Sequence, residues 1–477
     1  MKTYKMREHT GFFGQVMKRA IAPALLAWAL VGGQAALGDD WPQFRGPNRD
    51  GKSAETGLLK EWPEGGPKLL WWTNGLGKGY SSIAVVKNTV YTAGMERRLA
   101  VTTDKTGQVR TNSVGEAVIF ALGLDGKLKW KADAGPEWSS GYEGCRATPT
   151  VHDGRIFFLT GQAVLSCLDV RNGEKLWSVD LRTNFNTIGS THGFGESPLI
   201  VGNLVVCTPS GTTNGSTMVA FAQDTGQVVW KTPGMGYGTA TCSPILVERD
   251  GTKVIVGAVA HNLIGVNAAD GALLWQFPWL DRTDNPTKED PKTDGFICGP
   301  ALYLDGRIFM TNRRKEGGVM LDLAADGKRV KEAWTQERMN TVLGGFVLVD
   351  GYVYGSSWFV YQSLQSKDPS IPDEKKDINR ARRKLPWVCL DWANGTVMCE
   401  AEGVGSQGQI LYADGMLYCY GERGTVGLVA ATPKEHKVIS SFRITQGTGP
   451  HFNQPAISDG RLYIRHDDVL MCYDIKK

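Results

Sequence analysis

The chain contains no Cys-x-x-Cys, no two adjacent cysteines and no cysteine before Cys145. The first absence excludes an attached haem and a dithiol redox motif. The last excludes a lipid-attachment cysteine near the N-terminus. No apolar run is long enough for a membrane span either: the stretch 20–31 is too short. It follows Lys18-Arg19 and precedes the small residues Ala36-Leu37-Gly38, so residues 1–38 read as a secretory leader cut before Asp39. Met17 is an alternative start, and a retained N-terminal anchor the alternative fate. Charge of one sign is also missing. The chain has 53 Lys and Arg against 49 Asp and Glu; the leader holds five of the basic and one of the acidic residues, leaving 48 of each. Nothing in that balance points to nucleic acid as a partner. The expectation is a periplasmic or secreted monomer with no membrane span after leader removal.

What the chain does have is one phrase repeated along most of its length. A copy runs Thr148-Pro149-Thr150-Val151-His152-Asp153-Gly154-Arg155-Ile156-Phe157-Phe158, then Leu165-Ser166-Cys167-Leu168-Asp169, then Asn172-Gly173-Glu174-Lys175-Leu176-Trp177. Its first turn recurs at Gly202-Asn203, Asp250-Gly251, Asp305-Gly306, Asp350-Gly351, Asp414-Gly415 and Asp459-Gly460. Its second recurs at Asp125-Gly126, Thr225-Gly226, Asp270-Gly271, Asp326-Gly327 and Asn394-Gly395. Asp-Gly and Asn-Gly between apolar runs are hairpin signals, because both central residues tolerate positive φ. Copies spaced roughly 45–70 residues apart, rich in Val, Ile, Tyr and Phe, read as four-stranded propeller blades.

Trp130, Trp177, Trp230 and Trp275 follow their turn glycine at one offset, and Trp334 at a slightly longer one. A large ring at one place in every unit is expected to pack between blades. Cys399 takes that place in the sixth copy. Cys167, Cys389 and Cys472 share another position, where Ala121 and Ala220 stand in other copies, so they read as small buried strand residues. The odd total of nine cysteines leaves at least one unpaired within the chain, and a disulfide among Cys145, Cys242 and Cys298 stays open.

The fold class is therefore all-β: a single β-propeller of eight four-stranded blades, with seven blades the alternative if one irregular copy is not a blade. The last unit, 454–477, has only three strands, and Lys68-Leu69-Leu70-Trp71-Trp72 is expected to supply the fourth and close the ring. The organisation is then a leader at 1–38, an N-terminal segment at 39–67 and a propeller at 68–477.

The repeated hydrophobic-Ala/Cys-Leu-Asp, turn glycine and Trp resemble the repeat of pyrroloquinoline-quinone-type propellers, which quinoprotein alcohol dehydrogenases share with BamB-type outer-membrane assembly lipoproteins. The segment Asp40-Trp41-Pro42-Gln43-Phe44-Arg45-Gly46-Pro47-Asn48-Arg49-Asp50-Gly51 is similar to the start of a group of exported bacterial propellers in this superfamily. The resemblance implies a fold, since one propeller serves enzymes and binding proteins alike. In the family's enzymes it implies a quinone in the central funnel, a Trp floor, a ring of two adjacent cysteines, a Ca²⁺ held by Glu and Asn, and an Asp base. This chain departs from that pattern: it has no adjacent cysteines, no calcium ligands in recognisable order, and less length than the typical enzyme. Pyrroloquinoline quinone with Ca²⁺ is implied by resemblance only, and no cofactor is implied by the residues themselves.

Loops that leave one blade's outer strand for the next blade's inner strand gather on one face around the axis. They are 77–83, 138–149, 190–198, 237–244, 294–300, 339–346, 404–410 and 447–455. They carry the candidate ligand-binding residues Tyr80, Trp138, Tyr142, Glu143, Arg146, His192, Glu196, Tyr237, His451 and Asn453. His192 with Glu196, and Glu143 with Arg146, hold the pieces for acid–base work or a metal site. Insertions at 95–116, 281–294 and 362–386 widen the blades, and the basic 362–386 is a surface for an acidic partner or simply a solvated loop. The expected function is an exported scaffold that binds an envelope protein, a polymer or a small ligand. The alternatives are a quinone-dependent dehydrogenase of alcohols or sugars, and a hydrolase or lyase working through His192 and His451.

Overall fold

A computed structural model describes residues 40–103, 108–189, 192–260, 262–279, 299–312, 317–341, 345–357, 386–405 and 407–477. The expected leader, the insertion at 281–294, nearly all of 362–386, and Cys298 lie outside the described residues. The strands form eight sheets of antiparallel meanders arranged in a ring. Numbered in chain order, blade 1 is built from Ala84–Val86, Thr89–Thr103, Val109–Gly123 and Leu128–Glu137. Blade 2 is Thr150–His152, Arg155–Leu159, Val164–Asp169 and Lys175–Asp180, and blade 3 is Leu199–Val201, Leu204–Cys207, Ser216–Ala222 and Val228–Pro233. Blade 4 is Ile245–Arg249, Thr252–Val259, Asn262–Asn267 and Leu273–Pro278, and blade 5 is Leu302–Leu304, Arg307–Thr311, Gly318–Leu323 and Val330–Gln336. Blade 6 is Phe346–Val349, Tyr352–Ser356, Trp387–Asp391 and Val397–Ala401, and blade 7 is Gly408–Ala413, Met416–Gly421, Thr425–Ala430 and Val438–Arg443. Blade 8 is Ala456–Ser458, Arg461–His466 and Val469–Asp474, completed by Lys68–Thr73 as its outer strand. The ring thus closes as the sequence predicts, with eight blades.

The two turn types differ in a way the Asp-Gly pattern conceals. In the first turns both central residues are left-handed, as in Asp153 (φ 43) and Gly154 (φ 75), except in blade 3, where only Gly202 (φ 59) is. Blade 1 does the same with Lys87 and Asn88. In the second turns only the glycine is left-handed, and a register shift follows, as between Lys175 and Trp177. A bulge after a left-handed glycine gives the outer strand extra twist. It also sets a cross-strand pair at one place: Ala121 opposite Trp130, Cys167 opposite Trp177, Ala220 opposite Trp230, Gly265 opposite Trp275, Met320 opposite Trp334 and Cys472 opposite Trp71.

These tryptophans bridge blades. A Cβ on Gly126, Gly173, Gly226, Gly271 or Gly395 would meet the ring of Trp71, Trp130, Trp177, Trp230 or Trp334 at under 3.0 Å. Each of those glycines is the turn of the next blade. Trp71, Trp177 and Trp230 also donate Nε1–H to carbonyls of that turn, at 2.7, 2.9 and 3.2 Å. The apolar clusters accordingly straddle the seams between blades, blades 2 and 3 sharing one and blades 4 and 5 another. Blade 7 places Ser440 opposite Leu428, and Trp62 of the N-terminal segment packs on Tyr418 and Phe442 instead, its N–H donating to Ser440 Oγ at 3.0 Å.

The segment before the ring is not an outlying tail. Trp41 pairs with Val85 of blade 1, and Val151 of blade 2 donates to Pro42 O at 2.8 Å. Arg45 donates to Phe346 O of blade 6 and to Asp50 O at 3.0 Å. Arg49 donates to Ser197 O and Pro244 O, each at 3.0 Å, to Pro198 O, and to Gln43 Oε1 at 2.9 Å. Lys52–Ser53 then runs parallel to the inner strand of blade 7. Only a segment lying on the axis can reach the inner strands of so many blades. It enters from the first-turn face, where Lys87 N–H donates to Asp40 and the Asp459 and Gly460 N–H groups donate to Glu55. Both arginines are essentially unexposed, and burial lowers each to about 10, so they remain charged at neutral pH. A buried cation is tolerable when its donors are engaged.

Candidate functional site

The loops that join one blade to the next form the funnel mouth, and the sequence-predicted residues divide there into two groups. The first group is an aromatic rim. Tyr80 lies against Phe452 at 5.5 Å between centroids, Phe452 against Tyr142 at 6.3 Å, and Tyr142 against His192 at 6.1 Å. These rings come from the loops leading into blades 8, 1, 2 and 3. Tyr142 is 58% exposed and adopts a left-handed backbone (φ 54). Arg146 donates to Tyr142 O and to Gly144 O at 3.4 Å, which holds the guanidinium at the loop; its charge is felt at Tyr80. Burial raises the Tyr80 phenol, so it stays a neutral donor. Trp138 lies over Gly193, with Nε1–H donating to Gly141 O at 3.3 Å. Tyr237 is half-buried against the cluster of blades 3 and 4. The one described helix, Leu181–Phe185, is a single turn capped by Asp180, and it leads from blade 2 into the loop that carries His192.

The second group is committed to structure. Glu143 accepts from Lys78 Nζ at 2.8 Å and from Arg97, and the Lys78 hydrogen bond holds its carboxyl below the usual range. Arg97 belongs to the long hairpin of blade 1, so the described part of the 95–116 insertion extends those two strands and buttresses the rim. Glu196 is 1% exposed and accepts from Thr208 N–H at 2.5 Å; burial pushes it up to about 7, against the pull of Arg49. Asn453 is unexposed and donates to Ser81 O at 2.9 Å. His451 Nδ1 lies 2.6 Å from Tyr420 Oη, and its ring stacks on His466 at 3.6 Å. Burial lowers His451 to about 4, so it is neutral at pH 7.

Neither predicted acid–base pair is the main contact of its carboxylate. Glu143 turns to Lys78 and Arg97, and Glu196 turns to the Thr208 backbone. The quinone-and-calcium arrangement needs carboxylate and amide oxygens converging in the funnel. Here Glu143, Glu196 and Asn453 are bound elsewhere, and no group of three or more His, Cys, Asp or Glu fit to hold a metal occurs among the described residues. The described residues do not fit that group. A cavity of ≈ 380 Å³ lies away from the funnel, where blades 3 and 4 meet, with Lys253 its one ionisable lining residue.

Sequence reasoning missed Phe452, which joins the two halves of the rim, because an apolar residue between His451 and Asn453 carries no polar signal. It missed Arg45 and Arg49, although two arginines in a stretch of turns and aromatics were a visible anomaly. It also missed Glu137, which is buried on Trp138 N–H and Gly161 N–H, both at 2.7 Å, beneath the rim.

The sequence model of the family described as outer membrane protein assembly factor BamB matches residues 115–369. Among curated proteins, the quinoprotein alcohol dehydrogenase PedH of Pseudomonas putida is 30% identical over 163 residues. That match covers 31% of this chain and 26% of PedH, so the chain spans about a quarter of the length of the curated relative it matches. BamB from Moraxella catarrhalis superposes with a TM-score of 0.51 at 15% identity, over 85% of this chain and 98% of that one. The quinohemoprotein alcohol dehydrogenase ADHIIG from Pseudomonas putida HK5 does so with 0.56 at 13% identity, over 92% and 80%. A europium-containing methanol dehydrogenase gives 0.58 at 13% identity, over 89% of each chain. At these identities the structural likeness is one of fold.

Proposed function

The chain belongs to the family of the outer membrane protein assembly factor BamB, and on that premise we propose that it is an exported propeller scaffold that binds an envelope partner through its funnel mouth. One observation carries this reading. Four successive loops present an open arc of Tyr80, Phe452, Tyr142 and His192, while the carboxylates and His451 around it are spent on internal hydrogen bonds and ion pairs. Amphipathic rings on loops held by a rigid ring suit recognition, because they give large contact area at low entropic cost. Export is supported by the leader-like 1–38, and no described helix is long and apolar enough to cross a membrane.

A photoreactive residue placed at Tyr142 of the exported full chain tests the reading. Adducts with an envelope protein are expected from position 142 and none from a control at Asp305, an exposed turn on the opposite face. Equal labelling from both positions, or none from 142, would sink it. The second reading, a quinone-dependent dehydrogenase of alcohols or sugars, is favoured by the local identity to PedH. The third, a hydrolase or lyase, draws no support from His451, whose ring is closed in between Tyr420 and His466.

A further inference from the structure

Blade 6 departs from its neighbours at the position where six blades set a tryptophan opposite another residue. There Cys399 of the outer strand lies directly opposite Cys389 of the third strand. No other two cysteines face each other across a ladder among the described residues. The turn of the next blade, 431–437, lacks the glycine that elsewhere receives the tryptophan. Directly opposed residues of an antiparallel pair have Cα atoms about 4.5–5.5 Å apart. That lies within the span of about 4.4–6.8 Å that a disulfide bridges. Cys389 is 1% exposed and Cys399 half-buried.

We infer that Cys389 and Cys399 are a cross-strand disulfide site, closed by a disulfide oxidant, which pins the outer strand of blade 6 where other blades use tryptophan. The more accessible Cys399 attacks first. The neighbouring Cys389 lowers its thiol, which favours the nucleophilic thiolate. Its sulfur bonds to one sulfur of the oxidant and expels the other as a thiolate, with the Cys399 proton passing to solvent. Cys389, deprotonated in turn, then attacks the Cys399 sulfur and displaces the second oxidant thiolate. Two electrons pass from the cysteine pair to the oxidant, which leaves as two thiols. This inference does not depend on what the funnel binds.

The wild-type full chain is equilibrated with oxidised glutathione, acid-quenched, alkylated and cleaved at methionine. Met398 lies between the two cysteines, and the fragments 340–398 and 399–416 carry one cysteine each. The expected result is that these fragments stay joined until reduced, and that Cys399→Ser abolishes the joined species. Recovery of both cysteines as alkylated thiols, a stable glutathione adduct at Cys399, or a bond from Cys399 to another cysteine would overturn the inference. Mapping the wild type requires no variant to fold. Amide exchange at 397–401 is expected to slow on oxidation; unchanged exchange with the bond formed would overturn the pinning role.

Discussion

Glu196 titrates near neutrality because its carboxyl is wholly buried, with the Thr208 N–H and the Arg49 charge offsetting only part of the desolvation. A raised acid makes stability depend on pH with a definite sign. The folded state holds this proton up to about pH 7, whereas an exposed glutamate releases it near 4.5. Its contribution is therefore fully present below pH 4.5 and lost as pH rises through 7. Over that window the loss is on the order of 3 kcal/mol. Glu196→Gln keeps an acceptor for Thr208 and cannot ionise. Thermal unfolding of wild type and variant should therefore diverge from pH 5 to 8, with wild-type Tm falling relative to the variant. A constant difference across that range would refute the protonated assignment. His451 works in the opposite direction: its pKa, lowered to about 4, favours folding above the usual histidine range and is lost as pH falls through 4. Only a variant comparison separates the two.

At the scale of the element, one glycine does two jobs. Gly173 is left-handed (φ 75), and a Cβ there would meet Trp130 at 2.7 Å. Gly251 is left-handed (φ 80) with nothing within 4 Å. Gly251→Ala should therefore cost about 1 kcal/mol, from backbone strain alone. Gly173→Ala should cost about 2–4 kcal/mol, because overpacking is added. Urea unfolding of the two variants measures the gap; equal losses would mean that the tryptophans do not wedge between blades. The blades were legible because their information is local: Asp-Gly turns, apolar runs and a tryptophan at fixed offset all act within one meander. The absence of left-handed φ before the second-turn glycine was not legible, because Asn-Gly serves two turn types. Lys87 and Asn88 escaped notice because neither is glycine.

The whole molecule is a ring closed twice. Lys68–Thr73 completes blade 8, and the unexposed Arg465 of that blade donates to Thr92 Oγ1, Ala93 O, Leu76 O and Gly77 O, sewing it to blade 1 and to the loop that leads from the closing strand into blade 1. The segment from Trp41 to Ser53 then closes the axis. None of this was legible beyond the expected closing strand, since Arg45 finds Phe346 and Arg49 finds Pro244 across 301 and 195 residues of chain. The site was half legible for the same reason. Topology predicted which loops meet at the mouth, but whether Glu143 or Glu196 faces a ligand depends on partners in other loops and blades. The proposed partner-binding mouth and a quinone-binding funnel differ in what they hold. Calorimetric titration of residues 39–477 with pyrroloquinoline quinone and Ca²⁺ separates the two. A partner-binding mouth gives no saturable heat at high micromolar quinone. Saturable one-to-one binding, with dye-linked oxidation of an alcohol or sugar, would contradict it.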